Sequence, residues 1–173
     1  METVGIIAFA FGKQKTELGR GTGPSNESIG ETAVDVAGME RRRGNKVLLS
    51  GQWETTGTKA LQNEEVFEVS HFEDDPNYIK TKDVIIRSVR YFKQNGAQRL
   101  IIVAHPLHRP FIEAFIRLRL YKIDGLRLNT WYNSLMARIP YDRTPGNEQW
   151  WTRNGFLFIV YLVRSVFTGI HGK

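Results

Sequence analysis

The sequence contains no cysteine. That excludes a disulfide framework, a thiolate metal centre and a cysteine nucleophile, and it leaves the redox compartment open. Several signature motifs are missing as well. No GxxxxGK[ST] occurs, so a P-loop is excluded, and neither HEXXH nor G-x-S-x-G is present. No apolar run reaches the ~20 residues of a spanning helix. The most apolar stretch, Gly155 to Ile170, is too short and is interrupted by Arg164. It reads as a buried or docking helix, with a membrane-surface role as the lesser reading. The amino-terminal METVGIIAFAFG has no basic leader and carries Glu2, so it does not read as a signal peptide. The expectation is a cytoplasmic protein with no transmembrane segment.

No internal repeat, low-complexity tract or linker divides the chain. Its 173 residues suit one domain over 1–173, large enough to bury its own core. Charge is unevenly spread. Residues 1–98 carry 13 basic and 14 acidic side chains, whereas residues 99–173 carry 11 basic against 4 acidic. The whole excess of +6 therefore belongs to the second half. Such a half points to nucleic acid, an anionic membrane surface or a phosphorylated small molecule. The plain alternative is a set of solvated helix faces.

Two short apolar runs dominate the pattern: Val4 to Phe11, and Leu100 to Ala104. Neither alternates, which fits strands covered on both faces. Lys46 to Ser50 reads as another strand, Val66 to Val69 as a brief one, and the alternating LRLNTWY after Gly125 as a further one. Helical spacing starts at Ser25 and Asn26, both good caps, and runs to Arg41–Arg43 and a stop at Gly44. More helices are expected from Tyr78 to a stop at Gly96, from Leu107 to Tyr121, and from Trp150 to Phe167, with a short one near 59–65. Ser70–Asn77 and Arg138–Gln149 read as polar loops. Strands alternating with helices predict a Rossmann-like α/β three-layer sandwich with a mainly parallel central sheet.

In such a sheet, ligands bind where the strands end. If the strands at 4–11, 46–50 and 100–104 are neighbours, one edge collects Gly12 and its Gly-rich loop, then Gln52, Trp53 and Glu54, then His105, His108 and Arg109. The start of the helix at Ser25 and Asn26 offers free N–H groups to an anion. Glu54 and His105 are the candidates for acid–base work; Gly12, Ser25, Asn26, Gln52, His108 and Arg109 are candidates for ligand binding. Each has a plainer reading too. His105, before a proline, could simply bond the loop backbone, and Trp53 could be core. Gly19, Gly21 and Gly23 give GxGxG, removed from the strand, and so depart from the dinucleotide fingerprint. His105 and His108 lack a third metal ligand at telling spacing, and no metal site is assigned.

Six segments, AFAFG, GPSNESIGETA, SGQWETT, DPNYIKTKDV, VAHPLHRPF and NEQWWTRN, occur in an order and spacing that resembles the YdcF-like family, which includes the SanA and ElyC envelope proteins. The resemblance covers most of the chain. It implies a Rossmann-like fold with a polar pocket at the strand ends, and it adds Thr81 to the ligand-binding candidates beside Ser25, Asn26, Gln52, Glu54, His105 and Arg109. Asp83 stands where related sequences often carry asparagine. One family member is associated with S-adenosylmethionine, others with cell-envelope and lipid-carrier homeostasis.

The leading expectation is thus a pocket for a nucleotide-like or phosphorylated small molecule, S-adenosylmethionine among the candidates, with acid–base chemistry an added option. The alternative is a non-catalytic module that places its basic half, including Arg117, Arg119 and Arg127, on nucleic acid or an anionic membrane, nucleic acid being the weaker of these partners. A metal-dependent hydrolase built on His105 and His108 comes third. Oligomeric state is not legible in the sequence.

Overall fold

The structure is a computed structural model that describes residues 1–12, 22–70, 81–119, 126–129, 131–144, 147, 149 and 152–168. Five strands form one sheet: β1 (Thr3–Ala8), β2 (Lys46–Gln52), β3 (Val66–Val69), β4 (Arg99–Val103) and β5 (Arg127–Asn129). Their order is β3-β2-β1-β4-β5 and every pairing is parallel. The helices are α1 (Pro24–Arg42), α2 (Trp53–Thr56), α3 (Thr81–Gln94), α4 (Arg109–Arg119), α5 (Asn133–Met136) and α6 (Gly155–Thr168), with one 3-10 turn at Leu61–Asn63. This is a Rossmann-like α/β sandwich.

The unbroken apolar runs have a simple cause. Adjacent side chains in a strand point to opposite faces, and here both faces are buried. Val4, Ile6 and Ala8 of β1 join Ile101 and Val103 of β4 in a core with Ile29, Ala33, Val36 and Ala37 of α1. Ile7, Leu100 and Ile102 face the other way, against Val84, Ile85, Val89 and Phe92 of α3 and Ile112 and Ile116 of α4. Each such side chain contributes about 1.5–3 kcal/mol when fully buried.

Element ends differ from the sequence reading for identifiable reasons. The cap of α1 is Gly23, not Ser25 or Asn26, because Pro24 takes the first helical position with its preset φ. Ser25 and Asn26 lie inside the first turn and are fully buried. Helix α4 begins at Arg109, two residues later than periodicity predicts. Pro106 keeps His105 out of the helical region, and the His105 carbonyl instead accepts the first turn's N–H groups from His108 (2.9 Å) and Arg109 (3.0 Å). Helix α6 starts at Gly155 because the Asn154 side chain accepts the Leu157 N–H at 2.9 Å, an N-cap. Helix α5, within LRLNTWYNSLM, has no counterpart in the sequence reading. The expected stops hold: Gly44 and Gly96 have φ of +79° and +74°. The expected loop at Ser70–Asn77 and the start of a helix at Tyr78 lie outside the described residues, apart from Ser70.

At the amino ends of the strands, acids of the first half meet bases of the second. Glu40 is fully buried. It accepts from Arg99 Nη2 at 2.5 Å, Asn45 Nδ2 at 2.6 Å, Arg43 Nη1 at 3.2 Å and the Tyr132 hydroxyl. Burial alone would raise its carboxyl; the hydrogen bonds from Tyr132 and Asn45 and the Arg99 guanidinium outweigh this and hold it below its ordinary value. Glu2 pairs with both Arg99, at 3.3 Å, and Arg127. Part of the basic excess of residues 99–173 is therefore spent inside the fold.

Candidate functional site

The strand order reverses direction at β1. From β1 the chain moves outward through β2 to β3, then returns to the far side of β1 for β4 and β5. The crevice between the carboxyl ends of β1 and β4 is the switch point at which open α/β sheets bind ligands. The last main-chain bond across it runs from Phe9 N to Val103 O at 2.9 Å, and beyond it the two chains part.

The chain leaving β1 is held from three sides. Ala10 N donates to the Gln52 side chain at 2.9 Å, Phe11 N to Asn26 Oδ1 at 2.8 Å, and Gly12 N to the Gln149 side chain at 3.2 Å. Asn26 also donates from Nδ2 to the Gly12 carbonyl at 2.9 Å. Three successive N–H groups are thus taken by amide side chains from the end of β2, the start of α1 and the segment before α6. Gly12 itself has φ +101°, and a Cβ there would lie 2.6 Å from Asp142 Oδ2. Only glycine satisfies both demands. Ser25 Oγ donates to the Pro140 carbonyl at 2.5 Å and so ties α1 to the same covering segment.

That segment, Arg138–Asn154, is more than a polar loop. Asp142 is fully buried and Asn147 nearly so. Asn147 Nδ2 donates to the Asp142 carbonyl at 2.9 Å and to Thr152 Oγ1 at 2.6 Å, while its Oδ1 accepts from Gln149 N at 2.9 Å. These contacts present Gln149 to Gly12 and Asp142 to the same turn. No periodic pattern marks such residues in the sequence; the density of Asp, Asn, Thr, Pro and Gly was the available signal, and it indicates a turn without saying that the turn is buried.

The chain leaving β4 contributes His105, only 2% exposed. Its ring stacks on Phe11, with centroids 3.9 Å apart and planes 6° from parallel, and meets Tyr141 at 4.7 Å. Burial, with a smaller push from His108, lowers its pKa to about 4, so the ring is neutral near pH 7. Nδ1 accepts the Leu107 N–H at 3.3 Å. The backbone bond foreseen for a histidine before proline is present. It also fixes the tautomer, since a neutral ring accepting at Nδ1 carries its proton on Nε2. That buried Nε2–H has no partner among the described residues. His108 lies beside it, 6.2 Å from Phe11 and 6.4 Å from Phe158 of α6, ring to ring.

The remaining candidates are placed as follows. Glu54 stands in α2, directly after Gln52, and is 8% exposed. Trp53 beside it is half-buried and outside both core clusters. Arg109, next to His105 along the chain, directs Nε to Glu113 at 2.6 Å and Nη1 to Met136 Sδ at 3.7 Å. Thr81 opens α3. The structure therefore joins Gly12, Asn26, Gln52, His105 and His108 through Phe11 and its neighbours. Gln52, Asn26 and Ser25 act there as braces of the loop. Among the described residues no group of three or more His, Asp or Glu could hold a metal ion.

The chain matches no protein-family model, no curated protein and no solved structure. What the crevice can hold follows from its own geometry. It offers a neutral imidazole whose donor is unpartnered among the described residues, the half-buried ring of Tyr141, and, at the uncapped start of α1, Ser25 and Asn26 N–H groups that precede the first helical bond (Glu27 N to Gly23 O, 3.0 Å).

Proposed function

We propose that this protein binds a nucleotide-like or phosphorylated small molecule in the crevice between the carboxyl ends of β1 and β4. One observation carries the reading: the buried Nε2–H of His105, left without an acceptor among the described residues. A donor buried in this way costs about 1–3 kcal/mol, and a ligand oxygen or ring nitrogen supplies the missing acceptor. A phosphate or carboxylate of the same ligand suits the amino end of α1, and a planar base suits the half-buried ring of Tyr141. In this reading His105 orients and polarises the ligand as a donor; with its proton on Nε2 and a pKa of about 4 it is a weak base near neutral pH. Any proton acceptor at a reacting centre then falls to Glu54. The resemblance to YdcF-like proteins makes S-adenosylmethionine the first ligand to test.

The test is a thermal-shift titration with S-adenosylmethionine, S-adenosylhomocysteine and the common nucleotides. A ligand at about 100 times its Kd adds roughly 2.7 kcal/mol of stability. The expected result is a stabilising ligand whose affinity falls about tenfold or more in His105→Phe, which keeps the stack but not the donor. A ligand that binds His105→Phe as tightly as wild type overturns the proposed contact. A screen in which none of these compounds stabilises the protein removes the nucleotide-like class.

A further inference from the structure

Helix α6 buries one side and leaves another open. Phe158 is 4% exposed and packs on Phe11, at 5.9 Å between ring centroids, and on His108. On the other side Phe156, Ile159 and Val160 are 74%, 57% and 40% exposed. Positions i, i+3 and i+4 form one stripe on a helix. Three large apolar side chains on one exposed helix face form a patch of the kind that marks an interaction surface.

Charge identifies the occupant. Arg138 and Arg143, on the segment leading to α6, are exposed, and so is Arg117 on α4. None of these three is among the arginines paired with acids at the amino ends of the strands. A second copy of the chain would bring another +6 against this one, which opposes self-association. An anionic lipid surface offers both an apolar boundary and negative charge. We propose that the outer face of α6 docks on anionic membrane. The helix is 14 residues long, about 21 Å at 1.5 Å per residue, and no described helix is long and apolar enough to cross a membrane. It lies in the interface plane, as a peripheral contact.

Vesicle sedimentation tests this, using equal parts phosphatidylglycerol and phosphatidylcholine against pure phosphatidylcholine. Wild type is expected to bind the mixed vesicles, and to bind the neutral ones about fivefold more weakly for each arginine engaged. The double variant Phe156→Ser/Ile159→Ser should lose about tenfold or more. Its melting temperature should stay at the wild-type value, because both side chains face outward. The proposal is overturned if wild type ignores the mixed vesicles or if the folded double variant binds them as well as wild type. It also falls if light scattering shows a dimer that the double variant dissolves, which would make a second copy the occupant.

Discussion

His105 should make the protein acid-sensitive in a defined window. The perturbation is a fall in pH from about 7.5 to about 5, applied to wild type and to His105→Phe. In the unfolded chain this imidazole titrates at its ordinary value of 6.5, whereas in the fold burial against Phe11 and Tyr141 lowers it to about 4. Above 6.5 both states are neutral and the group's contribution is fully present. As pH falls, the unfolded chain binds a proton that the folded one refuses, and stability declines until the folded value is passed. Linkage over this interval gives a loss of about 2 kcal/mol near pH 5, approaching about 3 kcal/mol near pH 4. Two kcal/mol should move a urea midpoint by about 1 M and a melting temperature by roughly 4–8 °C at this chain length. The assay is urea denaturation at both pH values. Wild type should lose about 2 kcal/mol more than His105→Phe between them. Equal losses would mean that another group titrates in this window, and would refute the buried neutral imidazole on which the donor assignment depends.

Two further outcomes follow from the braces of the fold. Asn26→Ala leaves the Phe11 N–H and the Gly12 carbonyl unsatisfied in a buried place, which should cost about 2–5 kcal/mol in urea melts. Asn26→Asp keeps the first bond but turns an oxygen toward the Gly12 carbonyl, so it should also be destabilised; a variant of wild-type stability would contradict the bracing role. Glu40→Gln removes the charge facing Arg99 and should cost about 3–5 kcal/mol at neutral pH. Because the Glu40 carboxyl titrates below its ordinary value, the stability difference between wild type and Glu40→Gln should shrink only below about pH 4.5, beneath the pH interval of the His105 assay. A difference already gone at pH 6 would show that Glu40 is not held as a carboxylate.

The sheet was legible because its physics is local to each strand. Leu100 to Ala104 and Val4 to Ala8 are apolar at every position, which only a strand buried on both faces requires. Gly44 and Gly96 marked helix ends because no other residue adopts their φ so cheaply. The crevice was legible in outline, since His105 and Gln52 follow strands directly. Their roles were not. That Asn26 and Gln52 bond the Phe11 loop, and that Asp142 and Gln149 return more than a hundred residues later to close around Gly12, depends on long-range packing. Nor could the charge count show that Arg99 and Arg127 answer Glu2 and Glu40 across the sheet. Composition separates the two halves of the chain, and the ion pairs join them.

The position of β1 bears on how the protein is made. Among the described strands β1 comes first in the chain and sits in the middle of the sheet, and Val4 pairs with Arg99, so one whole side of it waits for a partner about 95 residues downstream. On the ribosome β1 and β2 can pair early, but the β1 edge that will receive β4 then stays open through the synthesis of β3 and α3. At 5–20 residues per second that is roughly 3–10 s. During that interval an apolar edge with unpaired N–H and C=O groups faces solvent or a chaperone. The half-built sheet, more than the finished one, is the form in which this chain is most prone to aggregate.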